Sequence, residues 1–430
     1  MPDAINFPCP LCGLLCDDLS VISGQLDSKN CALAAKYFAP ANPNAENWGD
    51  ELDGQAMPHD QAVSEAAKWL RQAKNPVIIG PAADHAGLQQ ALRLADRVGA
   101  VVDGRSPAQK ANMRALQRWG GIAASFNEIA NRADVIWLMG GDFAAWPRLA
   151  ERLWQNKHSL YRPAPPNLFH WRVTDEKMTG KNGGDMSHNL TPKTNQIAPD
   201  ALLSGLSFFL AQLQAKTQAR DWRPLTPHAA DFVGIDCAGL LASLQSAKYA
   251  AIIWDAASFP AAQAEMAVGL ITLILRALNV TGHAVGLPLG GGENSTGWAH
   301  IATWQTGYPL NVFLSPHGAE SDPFLYDGSR LGTSGEADLL VWLDGFGLAK
   351  DPPALSPKTK IIAVLGHPAH SDDFSQAEAR LTLRVGRPGY HHGGDVARAD
   401  SSLSMPLNAL YENAKFPSVA GLLLEIEESL

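Results

Sequence analysis

Short runs of consecutive apolar residues, most of them separated by stretches with helical spacing, recur along the chain. PVIIG at 76–80, GAVVD at 99–103, DVIWLMGG at 134–141 and LFHWRV at 168–173 form a first set, with an apolar-periodic helix over 86–98. YAAIIWD at 249–255, DLLVWLDGF at 338–346, KIIAVLG at 360–366 and LTLRVG at 381–386 form a second, with a long helix over 260–278. A strand buried on both faces reads as an uninterrupted run because neither face meets water, and its alternation with helices marks a parallel sheet covered on both sides. The pattern predicts an α/β protein with two doubly wound parallel-sheet units, at 56–175 and 236–385. A connector at 176–235 with an apolar helix near 202–213 joins them, and a C-terminal loop and helix occupy 386–430. Residues 1–55 lack a regular period and are rich in Cys, Asn, Pro and Asp, which predicts a small loop-rich unit held by something other than an apolar core. Ligands of doubly wound sheets bind outside the carboxyl ends of the strands, so the loops after the runs are where function is sought.

Composition sharpens this picture at three points. A chain of 430 residues exceeds what one core holds, and its 18% charged residues fall below the roughly 25% of an ordinary soluble surface. Twelve Trp point the same way, toward a component of an assembly whose outside is partly covered by partners. Lys and Arg number 34 against 43 Asp and Glu, with no basic run to track phosphates, so nucleic acid is excluded as a ligand. The first ten residues carry no basic segment leading into an apolar one, and the longest apolar stretch, 267–280, is broken by Arg276 and is shorter than the roughly 18 residues a membrane span needs. A cytoplasmic, membrane-free chain is expected.

Four of the five cysteines gather at Cys9, Cys12, Cys16 and Cys31, a C-x2-C-x3-C-x14-C spacing, and only Cys237 lies elsewhere, as a small apolar residue. Thiolates this close on a loop converge on one centre, and Gly13 lets the backbone fold around it. Four soft ligands suit a [4Fe-4S] cluster or a structural zinc, whereas calcium or magnesium calls for oxygen. The uneven gaps and distant fourth Cys favour iron-sulfur.

CPLCGLLCDDL at the start, TWQTGYP at 303–309 and VGRPGYHHGGDVARADSSLSMPL at 385–407 together resemble the B subunit of formylmethanofuran dehydrogenase, a branch of the molybdopterin oxidoreductases. The resemblance runs in matching order from Cys9 to about Leu407. It implies that the four Cys match the ligands of the family's [4Fe-4S] cluster and that the two α/β units match domains holding a bis-pterin tungsten or molybdenum cofactor. One departure stands out. Members that act on carbon dioxide or formate place Cys or selenocysteine on the metal from the loop after the second strand, and here that loop reads VVDGRSPAQKANMRALQRWGG at 101–121 without a Cys. Ser106 is the one alternative ligand there, and a hydroxyl is far poorer for this metal than a thiolate. The resemblance therefore points to the related formyltransferase/hydrolase complex of methylotrophic bacteria, whose B subunit is a scaffold in the conversion of formaldehyde to formate, beside hydrolase and transferase subunits. On that reading the bis-pterin metal is absent and no catalytic residue lies on this chain. The alternative is a catalytic tungsten or molybdenum-pterin subunit using Ser106 or no protein ligand.

Three further constellations complete the candidates. GLPLGGGENSTGWAH at 286–300 offers three consecutive glycines for close backbone approach and Asn294, Ser295 and Thr296 as donors, and the resemblance turns it toward the pterin cavity. RPGYHHGGDVARAD at 387–400 offers Arg387, His391, His392, Arg398 and Asp400 for anions or for an interface. GHPAHSDD at 366–373 brings His367 and His370 beside Asp372 and Asp373, but Pro368 breaks the helix that would align them as ligands. Gly291, Asn294, Ser295, Thr306, Arg387 and Arg398 are the resulting candidates for cofactor binding. No dinucleotide fingerprint, P-loop or G-x-S-x-G elbow is present. Trp146, Trp154 and Trp171 read as packing or partner contacts.

Overall fold

A computed structural model describes residues 4–39, 49–104, 106–155, 162, 164–174, 192–217, 237–290, 292–348, 353–367, 377–412 and 415–430. The chain divides into two units that interleave in sequence. One comprises Met1–Ser106, Gly291–Arg398 and Leu403–Leu430, and the other Pro107–Gly290 with Ala399–Ser402.

The first unit is built on a nine-stranded sheet whose centre is parallel. Strand Pro76–Ala82 pairs in parallel with Val101–Asp103 on one side and Leu339–Asp344 on the other, and Lys360–Gly366 and Arg380–Val385 continue outward from the latter. Antiparallel strands close both edges. Successive residues of the central strands point to opposite faces, and both faces are covered. Ile78, Val341 and Leu343 enter a cluster with the helices His59–Gln72, His85–Val98 and Val419–Glu428, whereas Ile79, Leu340 and Trp342 pack on the other side. Helix His85–Val98 starts where Asp84 accepts the Gly87 N–H at 3.0 Å and stops at Gly99, whose φ of 69° a side chain would disfavour. The N-terminal residues add a three-stranded antiparallel sheet, Ala4–Phe7, Leu19–Ile22 and Gln25–Asp27.

The second unit holds a five-stranded, wholly parallel sheet in the order Lys193–Ile197, Asn167–Val173, Val135–Gly140, Ala250–Asp255, Ala284–Leu289. Helix Ala264–Leu278, the most apolar segment of the sequence, is a buried core helix there, and among the described residues no helix is long and apolar enough to cross a membrane. Trp137 and Trp171 meet edge to face at 4.8 Å in the same core, and Trp146 and Trp154 are also buried, so these tryptophans serve packing.

The α/β class with parallel sheets stands as expected, and every predicted run is a strand. The serial division does not describe their distribution. The runs at 76–80 and 99–103 share a sheet with those at 338–346, 360–366 and 381–386, while 134–141 and 168–173 join 249–255. A strand buried on both faces carries no mark of which sheet it enters. The connector expected at 176–235 lies in good part outside the described residues, and its described portion supplies an edge strand and the helix Leu202–Thr217, with Leu206 and Phe209 in the core.

Candidate functional site

In the first unit the strand order reverses at Pro76–Ala82: the chain proceeds from it to Val101–Asp103 on one side and later to Leu339–Asp344 on the other. Crevices outside the carboxyl ends of strands at such a reversal are the usual ligand sites of doubly wound sheets. A pocket of about 250 Å³ lies there. Gly80, Pro81 and Ala82 line it from the first strand, Gly104 and Ser106 from the loop after the second, Trp342, Leu343 and Asp344 from the third, and Gly292, Glu293 and Ser295 from the glycine-rich loop. That loop opens helix Ser295–Thr306.

Asn294 holds the loop in place. It sits at φ 60°, its Nδ2 donates to Ala83 O at 2.9 Å, and its Oδ1 accepts from Ala397 N at 2.8 Å. The side chain is buried and spent on backbone, so Asn294 positions the loop and Ser295 faces the pocket. Gly291 lies outside the described residues. Thr306 stands at the opposite end of the twelve-residue helix, about 16 Å along its axis, with its hydroxyl donated to Ala302 O at 2.7 Å. The helix thus separates Thr306 from the pocket that Ser295 lines.

The cysteine loop abuts this pocket. Cys9 N donates to Cys16 O at 2.8 Å, closing a loop that turns at Gly13 (φ 77°) and Leu15 (φ 45°), and Cys31 caps helix Ala32–Tyr37. Glu293 N donates to Leu11 O at 3.0 Å, and a Cβ at Gly292 would collide with the same oxygen, so glycine is what lets the two loops touch. Cys9, Cys16 and Cys31 are buried, Cys12 is half-buried, and no disulfide links them. Burial pushes the Cys9 thiol well up, with Cys12, Cys16 and Cys31 adding to the shift. Cys12 is pushed up to about 12, by burial first and by Cys16 and Cys31 after it. Cys9 and Cys12 thus lie in the fields of the other two sulfurs, and burial favours their neutral thiol forms. Among the described residues no group of three or more His, Cys, Asp or Glu is placed to hold a single metal ion.

Arg387 is buried, its guanidinium 4.6 Å from the Tyr37 ring centre and 4.1 Å from that of Tyr390. Its backbone N–H donates to His391 Nδ1 at 3.0 Å. Burial, followed by Arg387 and two neighbouring histidines, lowers the His391 pKa to about 3. His367 is stacked on Phe416 at 5.5 Å and falls to about 4 through burial, Arg384 and Arg387, so it stays a neutral packing residue. His370, Asp372 and Asp373 lie outside the described residues. Arg398, whose backbone N–H reaches Leu403 O at 3.0 Å, is buried near Asn294's partner Ala397 and does not line the pocket. Glu293 and Asp344, which do line it, were not among the expected site residues, although Glu293 lies within the glycine-rich motif at 286–300. Asp344 was foreseeable only as the last residue of an apolar run.

No family model matches the chain. It is 28% identical over 344 residues to the B subunit of the formyltransferase/hydrolase complex Fhc of Methylorubrum extorquens, covering 80% of this chain and 86% of that one. It is 24% identical over 375 residues to the B subunit of the tungsten-containing formylmethanofuran dehydrogenase 2 of Methanocaldococcus jannaschii, covering 83% and 81%. The chain is similar to B subunits of the formyltransferase/hydrolase complex and of formylmethanofuran dehydrogenase. Among solved structures, a chain of the formyltransferase/hydrolase complex FhcABCD from Methylorubrum extorquens, in complex with methylofuran, superposes with a TM-score of 0.70 at 23% identity, over 88% of this chain and 98% of that chain. Acetylene hydratase from Pelobacter acetylenicus matches with a TM-score of 0.54 at 11% identity, over 99% and 70%. These two structures share the fold of this chain.

Proposed function

We propose that this chain is a structural component of a formyltransferase/hydrolase-type complex in C1 metabolism, in the cytoplasm, without a redox step of its own. The observation that carries this reading is the pocket lining: Ser106 lies in the loop after the second strand, and the described lining residues include no thiol. They offer two hydroxyls and the carboxylates of Glu293 and Asp344, and not the thiolate that the resemblance calls for in members acting on carbon dioxide or formate. The described residues do not fit a tungsten or molybdenum pterin group in this pocket, and no step is routed through one. The similarity to the Fhc B subunit supports the assembly, in which hydrolase and transferase partners carry the chemistry.

The cysteine loop fits a different group. Four thiols, buried or half-buried and gathered in one loop and at the start of the helix after it, are soft donors whose chemistry suits a [4Fe-4S] cluster, with zinc as the alternative. Cys9, Cys12, Cys16 and Cys31 would hold it. Bound there, either group would crosslink the loop to helix Ala32–Tyr37, and an iron-sulfur cluster, unlike zinc, would add one-electron redox capacity. Purification of the assembled complex followed by elemental analysis tests the whole reading. Iron or zinc without stoichiometric tungsten or molybdenum, and no viologen-linked formate oxidation, is the expected result. Stoichiometric tungsten or molybdenum in this chain would restore the catalytic alternative.

A further inference from the structure

Phe324 and Leu325 stand side by side in solvent, 71% and 55% exposed, on a turn of the first unit whose backbone is tied down at every step. Asp322 Oδ1 accepts the N–H of each at 2.8 Å. Arg330 donates from Nε to Phe324 O at 3.1 Å and from Nη2 to Leu325 O at 2.8 Å, and its guanidinium lies 5.6 Å from the Phe324 ring centre. Asn311 Nδ2 donates to Tyr326 O at 2.8 Å and joins the turn to the start of strand Val312–Ser315. With the backbone fixed in this way, little of its entropy is left to lose when a partner covers the turn. Tyr326 and Phe313 meet at 5.4 Å and are only half-buried on a small cluster of Val77, Val101, Leu331 and Ala337, so apolar surface runs from the core out to the turn. The setting is acidic. From 301 to 338 the chain carries Glu320, Asp322, Asp327, Glu336 and Asp338 against Arg330 as its single Lys or Arg, and Glu336 engages that cation at 2.5 Å.

We propose that the turn bearing Phe324 and Leu325 is the anchor by which this chain binds another protein subunit of its assembly, one that offers an apolar pocket ringed by Lys or Arg. The inference rests on the reading of the chain as a component of a complex, and it names the surface that reading requires. Adjacent aromatic and aliphatic side chains on a rigid turn can fill a pocket, while the polar groups around them keep water out of the contact. The acidic rim sets the sign of the partner, because opposite charge steers encounter and fixes register whereas like charge repels. It also argues against a second copy as the occupant: a two-fold pairing through this turn would set Glu320 and Asp322 against their own equivalents.

The test measures binding of the full-length chain, by surface plasmon resonance, to each of the other purified subunits of the complex, hydrolase and transferase among them. The parent is expected to bind at least one of them, and the double variant Phe324→Ala, Leu325→Ala to bind it at least about thirtyfold more weakly with an unchanged thermal melt. Should the double variant melt early, each single substitution is expected to weaken binding in the same direction by less. Glu320→Lys is expected to weaken binding several-fold at low salt and to have little effect at high salt, where the rim is screened. A double variant that binds as the parent does overturns the proposal and leaves the complex reading intact. A parent that forms a dimer which the double variant abolishes overturns it in favour of a second copy. An affinity indifferent both to salt and to Glu320→Lys overturns the basic ring on the partner. A parent that binds none of the subunits removes the complex reading, and the proposal with it.

Discussion

Asn294 spends one side chain on two buried backbone groups, and its replacement leaves both without a partner. Each orphaned buried group costs about 1–3 kcal/mol, so Asn294→Ala is expected to destabilise the chain by roughly 2–4 kcal/mol in denaturant unfolding. A loss under about 0.5 kcal/mol would place the clamp outside the structure in solution. Gly292 is held to glycine by Leu11 O, so Gly292→Ala must displace the cysteine loop or the pocket loop. Its expected signature is a clear fall in iron per chain after reconstitution with the far-ultraviolet circular dichroism unchanged. His170 adds a pH dependence. It is 5% exposed, bonded to Gly141 O at 2.9 Å, and brought down to about 4 from its ordinary 6.5, first by burial. Because the unfolded chain binds the proton more readily, this contribution is complete above about pH 6.5 and is lost as pH falls toward 4, by about 3 kcal/mol across the window. His170→Phe should flatten the acid limb of stability measured by denaturant unfolding between those values, and an unchanged limb would refute the assignment.

Between elements, His59 joins three pieces of the first unit. It begins helix His59–Gln72, its Nδ1 meets Asp50 of strand Asp50–Leu52 at 2.6 Å, and its Nε2 meets Glu425 of helix Val419–Glu428 at 3.0 Å. Burial works against its charge, but the two carboxylates outweigh it and hold the pKa above 6.5. The sign is opposite to that of His170: the contribution is present below about pH 6.5 and fades as pH rises through the folded value. Since the ring is 43% exposed, screening limits the effect to about 0.5 kcal/mol. Thermal melts of His59→Gln should match the parent at pH 8 and fall slightly below it at pH 6; an equal deficit at both pH values would mean the contacts act without charge.

At the scale of the molecule, the interleaving has a direct consequence. Strand Pro76–Ala82 takes its neighbour Leu339–Asp344 from more than 250 residues further along, whereas all five strands of the second sheet lie within 107–290. Residues 107–290 produced alone are therefore expected to melt cooperatively, although without the Asp400 carboxylate that receives Phe126 N at 2.8 Å. A chain ending at residue 235 is expected to show no cooperative transition, although it contains every element of the first α/β unit that serial reading predicts. Circular dichroism melts decide both outcomes, and a cooperative transition in the truncated chain would contradict the sheet order.

Sequence by itself determined the fold class, the strands at 76–80, 134–141 and 338–346, the thiol loop and the missing thiol near Ser106, because apolar runs and ligand spacings are local and survive without a partner. Strand Ala284–Leu289 escaped notice since Gly286 and Pro288 interrupt its run and the glycines beyond it read as one long loop. The distribution of strands between sheets, the distance of Thr306 from the pocket, and the burial of Arg387 between two tyrosines were decided only by tertiary structure. Each depends on which distant segments meet, and a pattern of side chains along one segment cannot encode the identity of its neighbour when both of its faces are buried alike.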